Sequence, residues 1–177
     1  MSFEKVLEFL KSRKGILDGV VLSGGECTLH NGLVGFLKEI KAMGFLIKLD
    51  TNGSRPSIIR QVVALRLIDY IALDFKALPG KFEIITGSNL FSGFEQTLTY
   101  LIGSCLQYEV RTTVHADLIN EQDLKDMADY LKHNRYKGNY YIQHFVNDVP
   151  TLGQLSPSHH QFKRLNYLFD PVKIVFR

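Results

Sequence analysis

The sequence contains few cysteines, little net charge and no long hydrophobic run, and each shortage excludes a class of protein. Its two cysteines, Cys27 and Cys105, cannot form the disulfide framework of a small secreted domain, which favours a cytoplasmic location. No apolar run is long enough to span a bilayer, and residues 1–5 do not resemble the start of a secretory signal. A net charge of +3 without an arginine-rich block gives no argument for a nucleic-acid partner.

What the chain does contain is an alternation of short strand patterns and amphipathic helix patterns. Its 177 residues, 45% of them hydrophobic, are enough for one domain with a sizeable core. Such an alternation is typical of parallel strands joined by right-handed crossovers, so we predict one α/β domain over residues 1–177. Asn31 and Asn120 are the predicted N-caps of the second and sixth helices. The predicted strands are 20–22, 45–49, 70–73, 109–114, 140–145 and 172–176, and the predicted helices lie near 3–15, 31–44, 56–67, 82–85, 91–102, 120–138 and 156–168.

The rest of the chain is organised around the stretch from Val20 to Glu26. The run 20–22 is short, apolar and rich in β-branched residues, which predicts a buried strand. Gly24 and Gly25 follow and leave bare backbone, and Glu26 adds a carboxylate. Such a strand end suits a zwitterionic or phosphorylated small molecule. The alternative is a tight strand-to-helix turn that binds nothing.

Polar residues also follow the other predicted strands. In parallel α/β folds the chemistry lies beyond the C-terminal ends of the strands. Polar groups from five strand ends are hard to explain as chance turn chemistry, so the pattern favours a binding site. The strand ends carry Ser23 to Glu26, Asp50 to Gly53, Asp74 to Lys76, His115 and His144.

Two of these strand ends place an aspartate at an equivalent position. Asp50 and Asp74, with the hydroxyl of Thr51, could hold a hard cation through oxygen atoms. The alternative for Asp50 is an Asx turn with the backbone of Asn52 and Gly53. The residues alone leave both interpretations open.

The basic residues near the strand ends have two interpretations as well. Lys76 lies two residues after Asp74, so it pairs with that aspartate or with a ligand carboxylate, and a plain surface ion pair is the alternative. Arg111 lies in a strand of valine and threonine and therefore needs a carboxylate or a ligand as its partner. His115 and His144 are interpreted as polar residues satisfied within the fold in preference to ligands or bases.

The remaining reactive side chains are interpreted as structural. Cys27 adjoins the glycine turn but has no histidine and acid partner, which favours a small packed thiol. Cys105 is expected in the core. His159 and His160 are expected on the surface, at the start of the last predicted helix.

Four segments, in order, resemble radical S-adenosylmethionine activases. The resemblance is to the activating proteins of anaerobic ribonucleoside-triphosphate reductase and, next, to those of pyruvate formate-lyase. It covers about residues 15–147. The segments are Ser23-Gly24-Gly25-Glu26-Cys27-Thr28-Leu29, Lys48-Leu49-Asp50-Thr51-Asn52-Gly53, Asp69-Tyr70-Ile71-Ala72-Leu73-Asp74-Phe75-Lys76 and Val110-Arg111-Thr112-Thr113-Val114.

The resemblance implies a partial (βα)6 barrel of the TIM type that lacks its first strand, with parallel strands and outer helices. It also implies S-adenosylmethionine held beside a 4Fe–4S cluster, and a monovalent-cation site at Asp50, Thr51 and Asp74 with the Ala72 carbonyl. Glycines 24 and 25 with Glu26 match the stretch that binds the methionine amino group. The full set of implied cofactor contacts is Gly24, Gly25, Glu26, Asp50, Thr51, Asn52, Lys76, Arg111 and His144.

The resemblance further implies an activity and its partners. An electron from the cluster cleaves the sulfonium, and the deoxyadenosyl radical takes hydrogen from a glycine of a partner enzyme. The implied partner is an anaerobic ribonucleotide reductase or an enzyme of the pyruvate formate-lyase type. The implied electron donor is a protein such as flavodoxin.

The sequence departs from this family at one decisive point. The first strand and its Cys-x3-Cys-x2-Cys loop are expected just before the helix at Phe3, and they are absent from these 177 residues. Cys27 and Cys105 are too few and wrongly spaced to replace the three thiolates of the cluster. We therefore expect a fragment of an activase that is inactive alone. A remnant that serves as a non-catalytic module for binding S-adenosylmethionine, a nucleoside or a protein is the alternative.

Two further expectations follow from the same pattern. An ordinary hydrolase or aldolase-like barrel is disfavoured, because no nucleophile, Schiff-base lysine or metal triad stands out. Without the missing strand, the strand 20–22 becomes an open sheet edge. We expect dimerisation or aggregation through that edge, or its cover by a displaced segment.

Overall fold

The computed structural model describes residues 2–147, 155–158 and 171–177. No helix in these ranges is both long and apolar enough to cross a membrane. The strands are β1 (Gly19–Leu22), β2 (Leu46–Thr51), β3 (Tyr70–Asp74), β4 (Gln107–Val114), β5 (Asn139–His144) and β6 (Lys173–Phe176). The helices are α1 (Phe3–Lys11), α2 (Leu33–Ala42), α3 (Pro56–Ala64), α4 (Pro79–Thr86), α5 (Phe91–Ile102) and α6 (Glu121–His133), and a 3-10 turn spans Cys27–Leu29.

The chain divides into two compact units. The first unit comprises Met1–Leu73 and Ser92–Tyr108, and the second comprises Asp74–Phe91 and Glu109–Arg177. The single domain predicted over residues 1–177 remains a prediction.

In the first unit β1, β2 and β3 are parallel neighbours in the order of the chain. Val21 lies opposite Lys48, and Lys48 lies opposite Tyr70. Because the strands are parallel, the C-terminal ends of β1 and β2 lie at the same edge, as the strand–helix alternation predicts. The most deeply buried side chains of this unit come from one strand face and from the helices: Leu37, Ile40, Ile47, Leu49, Ile59, Val62, Ile71, Leu73 and Leu98.

In the second unit β4, β5 and β6 are parallel neighbours in the same way. Asn120 caps α6 as predicted, and it forms a reciprocal capping box with Asp123. Among the buried side chains of this unit, the Tyr140 hydroxyl shares a hydrogen bond with the Thr112 hydroxyl. Its most deeply buried side chains are Phe75, Val110, Leu124, Met127, Leu131, Tyr140 and Ile142.

The structure corrects three predictions on individual residues. The strand predicted at 20–22 forms, but it is not buried: Val21 is 56% exposed, because β1 ends the strand order and pairs with β2 alone. Asn31 is not a helix cap, since α2 has Gly32 at that position without a side-chain bond. Cys105 is exposed and not in the core, because it lies in the turn between α5 and β4.

Several helix limits also differ from the prediction. The single helical turn predicted at 82–85 is the two-turn helix α4, which starts at Pro79 and ends at Thr86, just before the left-handed cap residue Gly87 with φ +65°. α1 and α6 end before the glycines that were expected to stop them. Residues 156–158, where the last helix was predicted to start, carry no regular structure. The rest of that helix, with His159 and His160, lies outside the described residues.

Candidate functional site

The loop after β1 exposes bare backbone. Gly24 has φ +101° and Gly25 has φ +54°, conformations that other residues adopt only with strain. A Cβ atom added to either glycine would meet nothing within 4 Å. The glycines are therefore required by the backbone conformation and not by crowding, and the space beside them is open to a ligand.

The carboxylate of Glu26 connects this loop to the end of β2. Oε1 accepts hydrogen bonds from the Thr28 amide at 3.1 Å, the Thr28 hydroxyl at 2.5 Å and the Thr51 hydroxyl at 2.8 Å. Oε2 accepts a hydrogen bond from the Asn52 amide at 2.7 Å. We call these four residues the Glu26 cluster. The carboxylate is fully engaged with groups of its own chain, so its direct effect is to fix two strand ends together.

The turn after β2 is held from both sides. The Gly53 amide donates to the Thr51 hydroxyl at 3.1 Å, and the Ser54 amide donates to Asn52 Oδ1 at 2.9 Å. From α5, the buried Thr97 hydroxyl donates to the Gly53 carbonyl at 2.7 Å. The Asn52 and Gly53 amides, which an Asx turn of Asp50 would use, donate instead to Glu26 and Thr51.

Close packing fixes the same turn. Gly53 has φ +74°, and a Cβ atom there would lie 2.8 Å from Leu73 Cδ1. A Cβ atom on Gly93 of α5 would lie 2.7 Å from the Ser54 carbonyl oxygen. Both glycines are therefore needed for helix α5 to lie directly against the turn.

Asp50 and Cys27 lie next to the Glu26 cluster. Lys48 Nζ is 3.4 Å from Asp50 Oδ1, and the Cys27 thiol donates to the Asp50 carbonyl oxygen at 3.3 Å. Burial, with the nearby charges of Glu26 and Asp50, raises the pKa of Cys27 to about 12. A pKa this high keeps the thiol protonated at neutral pH, which is unfavourable for a nucleophile.

The cysteines do not fit an iron–sulfur cluster. Such a cluster needs several thiolates, whereas Cys27 keeps its proton and Cys105 is exposed in a different part of the fold. The described residues also contain no group of three histidine, cysteine, aspartate or glutamate side chains that could hold a metal ion.

In the second unit, Asp74 lies between two cations. Arg111 Nε donates to Asp74 Oδ1 at 2.5 Å, and Lys76 Nζ donates to Asp74 Oδ2 at 3.0 Å. The side chain of Arg111 is 15% exposed, whereas that of Lys76 is 38% exposed. We call these three residues the Asp74 cluster. Any cation bound at Asp74 must compete with these two basic side chains.

The two histidines at strand ends differ in environment. His115 is buried, accepts the Asp117 amide at Nδ1 over 3.2 Å, and therefore carries its proton on Nε2, which lies 2.7 Å from the Ser156 carbonyl oxygen. It is satisfied within the fold, as predicted. His144 is exposed at the end of β5, and its ring lies 6.3 Å from that of Phe176.

The structure thus distributes the predicted contacts over two clusters and their neighbours. Those at the strand ends of the first unit are Gly24, Gly25, Glu26, Asp50, Thr51 and Asn52, and those in the second unit are Asp74, Lys76, Arg111 and His144.

Sequence reasoning missed Thr28 and Thr97. Thr28 lies within the first matching segment and was available as a signal, but Thr97 lies on the apolar face of α5 and resembles a core residue.

Comparison with proteins of known sequence gives one relative with a named activity. No family model matches the chain. Over 121 residues it is 31% identical to a curated protein of Methanocaldococcus jannaschii that is named as a glycyl-radical enzyme activating enzyme. The match covers 65% of this chain and 50% of that protein, so the chain spans about half the length of this relative.

Solved structures share the fold. A domain of the pyruvate-formate lyase-activating enzyme from Bacteroides vulgatus aligns with a TM-score of 0.62 and 18% identity, over 77% of this chain and 86% of that one. SuiB of Streptococcus suis, bound to S-adenosylmethionine, aligns with a TM-score of 0.68 and 10% identity, over 100% of this chain and 44% of that one. The parallel α/β fold and the similarity to activating enzymes predicted from the sequence are confirmed.

Proposed function

We propose that this chain is the binding scaffold of a radical S-adenosylmethionine activase. The whole protein would use a deoxyadenosyl radical to take hydrogen from a glycine of a partner enzyme. The sequence similarity to a glycyl-radical enzyme activating enzyme supports the class of reaction. The observation that carries the proposal is the Glu26 cluster, which joins the exposed glycine turn after β1 to the end of β2.

The bare backbone of the loop after β1 suits the recognition of an amino-acid moiety. The peptide groups of Gly24 and Gly25 offer backbone donors and acceptors without a side chain in the way. In the second unit, Lys76 is the more exposed cation of the Asp74 cluster and suits an anionic group. When bound, S-adenosylmethionine would supply the sulfonium whose cleavage starts the radical reaction.

The chain alone is expected to be inactive in this reaction. Neither Cys27 nor Cys105 fits a cluster, so the thiolates must come from outside these 177 residues. The partner would be an anaerobic ribonucleotide reductase or an enzyme of the pyruvate formate-lyase type, and the electron donor a protein such as flavodoxin. An in-frame Cys-x3-Cys-x2-Cys motif in the DNA upstream of the Met1 codon would support this interpretation.

The second candidate function is a non-catalytic module that binds S-adenosylmethionine or a nucleoside and docks to a protein. The open glycine turn supports it, because the bare backbone of Gly24 and Gly25 can bind a ligand group without a cluster. The two functions share the binding site. They differ in whether a cluster-bearing segment belongs to the same polypeptide.

Calorimetric titration with S-adenosylmethionine tests the shared site. We expect weak binding by the wild-type chain and a loss of at least several-fold in Gly25→Ala, whose methyl group enters the open space of the turn. Gly87→Ala is the matched control, because Gly87 also has a positive φ, +65°, with nothing within 4 Å of an added Cβ. Absence of binding by the wild type, or equal loss in both variants, would contradict the proposal.

A further inference from the structure

The carboxylate of Asp50 has a cation of its own chain beside it. Lys48 and Asp50 occupy alternate positions of β2, so their side chains lie on the same face of the strand. Lys48 Nζ lies 3.4 Å from Asp50 Oδ1, and the two side chains are 32% and 15% exposed, respectively. A carboxylate with so little exposure needs a compensating positive charge nearby. Lys48 supplies that charge from two residues away.

The ammonium group of Lys48 also contacts an aromatic ring. Tyr70 lies directly opposite Lys48 in the register of β2 against β3. Lys48 Nζ lies over the Tyr70 ring, 5.8 Å from its centroid, which is within the range of a cation–π interaction. All three residues belong to the first unit. The ring and the carboxylate therefore both favour an ammonium group at this place.

The surroundings of Asp50 are a poor fit for an inorganic cation. Hard cations bind through several oxygen atoms at once. The Thr51 hydroxyl, however, donates to Glu26 Oε1 at 2.8 Å and accepts a hydrogen bond from the Gly53 amide at 3.1 Å. A metal ion at Asp50 Oδ1 would also be repelled by Lys48 Nζ, because both carry positive charge. The lysine and an inorganic ion therefore exclude each other at this carboxylate.

The second unit contains a comparable arrangement. Lys76 Nζ donates to Asp74 Oδ2 at 3.0 Å, and Arg111 Nε donates to Asp74 Oδ1 at 2.5 Å. Both oxygen atoms of this carboxylate thus bind basic side chains of the chain itself. In each unit, the aspartate at the strand end has a lysine two residues away along the sequence.

We propose that the ammonium group of Lys48 takes the place of an inorganic monovalent cation at Asp50. The sequence pattern predicts a hard cation at this aspartate, whereas the geometry provides the positive charge from β2 itself. The strand end should therefore keep its stability without sodium or potassium. It should respond to one of these ions only when the ammonium group is removed. This inference does not rest on the proposed function, because it concerns the chain without a ligand.

Thermal unfolding of the ligand-free chain tests the proposal in sodium, potassium and tetramethylammonium chloride at equal ionic strength. Tetramethylammonium is too large to bind among carboxylate and hydroxyl oxygen atoms, and equal ionic strength keeps the screening constant. The wild-type chain should melt at the same temperature in all three salts. Lys48→Met keeps a side chain of similar length without the charge. It should melt about 2–4 °C higher in the sodium or the potassium salt than in tetramethylammonium.

Three further variants separate this role from a general response to lost charge. Lys48→Gln, a second neutral variant, should behave like Lys48→Met. Lys48→Arg keeps the positive charge and should be as independent of sodium and potassium as the wild type. Lys76→Met is the matched control, because it also removes a lysine from an aspartate at a strand end. It should show no dependence on either ion, since Arg111 still binds Asp74.

Three results would overturn the proposal. The first is a wild-type chain that sodium or potassium stabilises relative to tetramethylammonium. The second is the absence of any preference among the three salts in both neutral variants of Lys48. The third is an equal dependence in Lys48→Met and Lys76→Met, which would show a general effect of lost charge. A failure of the chain to bind S-adenosylmethionine would leave all of these measurements unchanged.

Discussion

The Glu26 cluster and the Asp74 cluster each surround one carboxylate, but with different kinds of donor. Glu26 accepts four hydrogen bonds from neutral amide and hydroxyl groups of its own unit. Asp74 is held by the charged side chains of Arg111 and Lys76. The first cluster therefore determines the shape of two strand ends, and the second determines the local charge. A ligand can displace the exposed lysine at little cost, whereas it cannot displace the donors of Glu26 without disrupting the loops.

The largest effect is expected from removing the first carboxylate. Glu26→Ala leaves four donors of Thr28, Thr51 and Asn52 without their acceptor, three of them on buried threonines, and should lower the free energy of unfolding by about 2–4 kcal/mol. Urea denaturation measures the change. Glu83→Ala, an exposed position on α4, should change stability by less than about 0.5 kcal/mol. Equally small losses of stability in both variants would show that the Glu26 cluster does not stabilise the two strand ends.

Substitutions at two glycines of the first unit allow the cost of backbone strain to be measured separately from the cost of steric crowding. Gly53→Ala combines a positive φ with a Cβ atom 2.8 Å from Leu73 Cδ1 and should cost about 2 kcal/mol or more. Gly24→Ala has positive φ but free space and should cost about 1 kcal/mol. Thermal denaturation of both variants under one condition gives the comparison. The reverse order would contradict the packing described for the turn.

The Asp74 cluster should respond unequally to removal of its two cations. Arg111→Ala leaves a half-buried carboxylate with a weaker partner and should cost about 1–2 kcal/mol. Lys76→Ala should cost less than about 0.5 kcal/mol, because the lysine is more exposed and its ion pair is screened by solvent. Chemical denaturation at low and high salt distinguishes them. A larger salt dependence in the arginine pair would count against this assignment.

The two cysteines should differ in reactivity without a large effect on stability. Iodoacetamide at neutral pH should modify the exposed Cys105 first, since Cys27 is half-buried and burial raises its pKa to about 12. Because the pKa of Cys27 is raised above its ordinary value of 9.0, the unfolded chain ionises first, and stability should fall as the pH rises from about 9 towards 12. Mass spectrometry of peptides reports the order of labelling.

The order of strands and helices could be predicted because it depends on local patterns. The apolar run of β1, the proline that opens α3 and the Asn120 cap each act within a few residues. The exposure of Val21 could not be predicted in this way, because it depends on which strand ends the sheet order. The prediction that Cys105 lies in the core was wrong for a related reason. The hydrophobic neighbours of Cys105 in the sequence do not determine whether a residue of that turn faces the core or the solvent.

The residues proposed for the candidate site can be chosen from the sequence, whereas the hydrogen bonds between them cannot. The glycine turn and the polar strand ends are visible in the sequence, and Arg111 signals a carboxylate partner because it lies within a strand. Nothing in the sequence shows that Glu26 bonds to Thr51 and Asn52, which follow it by about 25 residues. Such bonds depend on the register of β1 against β2, and one residue of slip would remove them.

The contact of α5 with the turn after β2 allows residues outside the binding site to influence ligand recognition. Gly93 omits a side chain and Thr97 donates a hydroxyl, so the position of the turn depends on a helix whose outer face faces solvent. A substitution on that helix, remote from every residue expected to touch a ligand, can therefore shift Asn52 and Gly53 by a fraction of an ångström. Selectivity can be tuned there without altering the residues that do the binding.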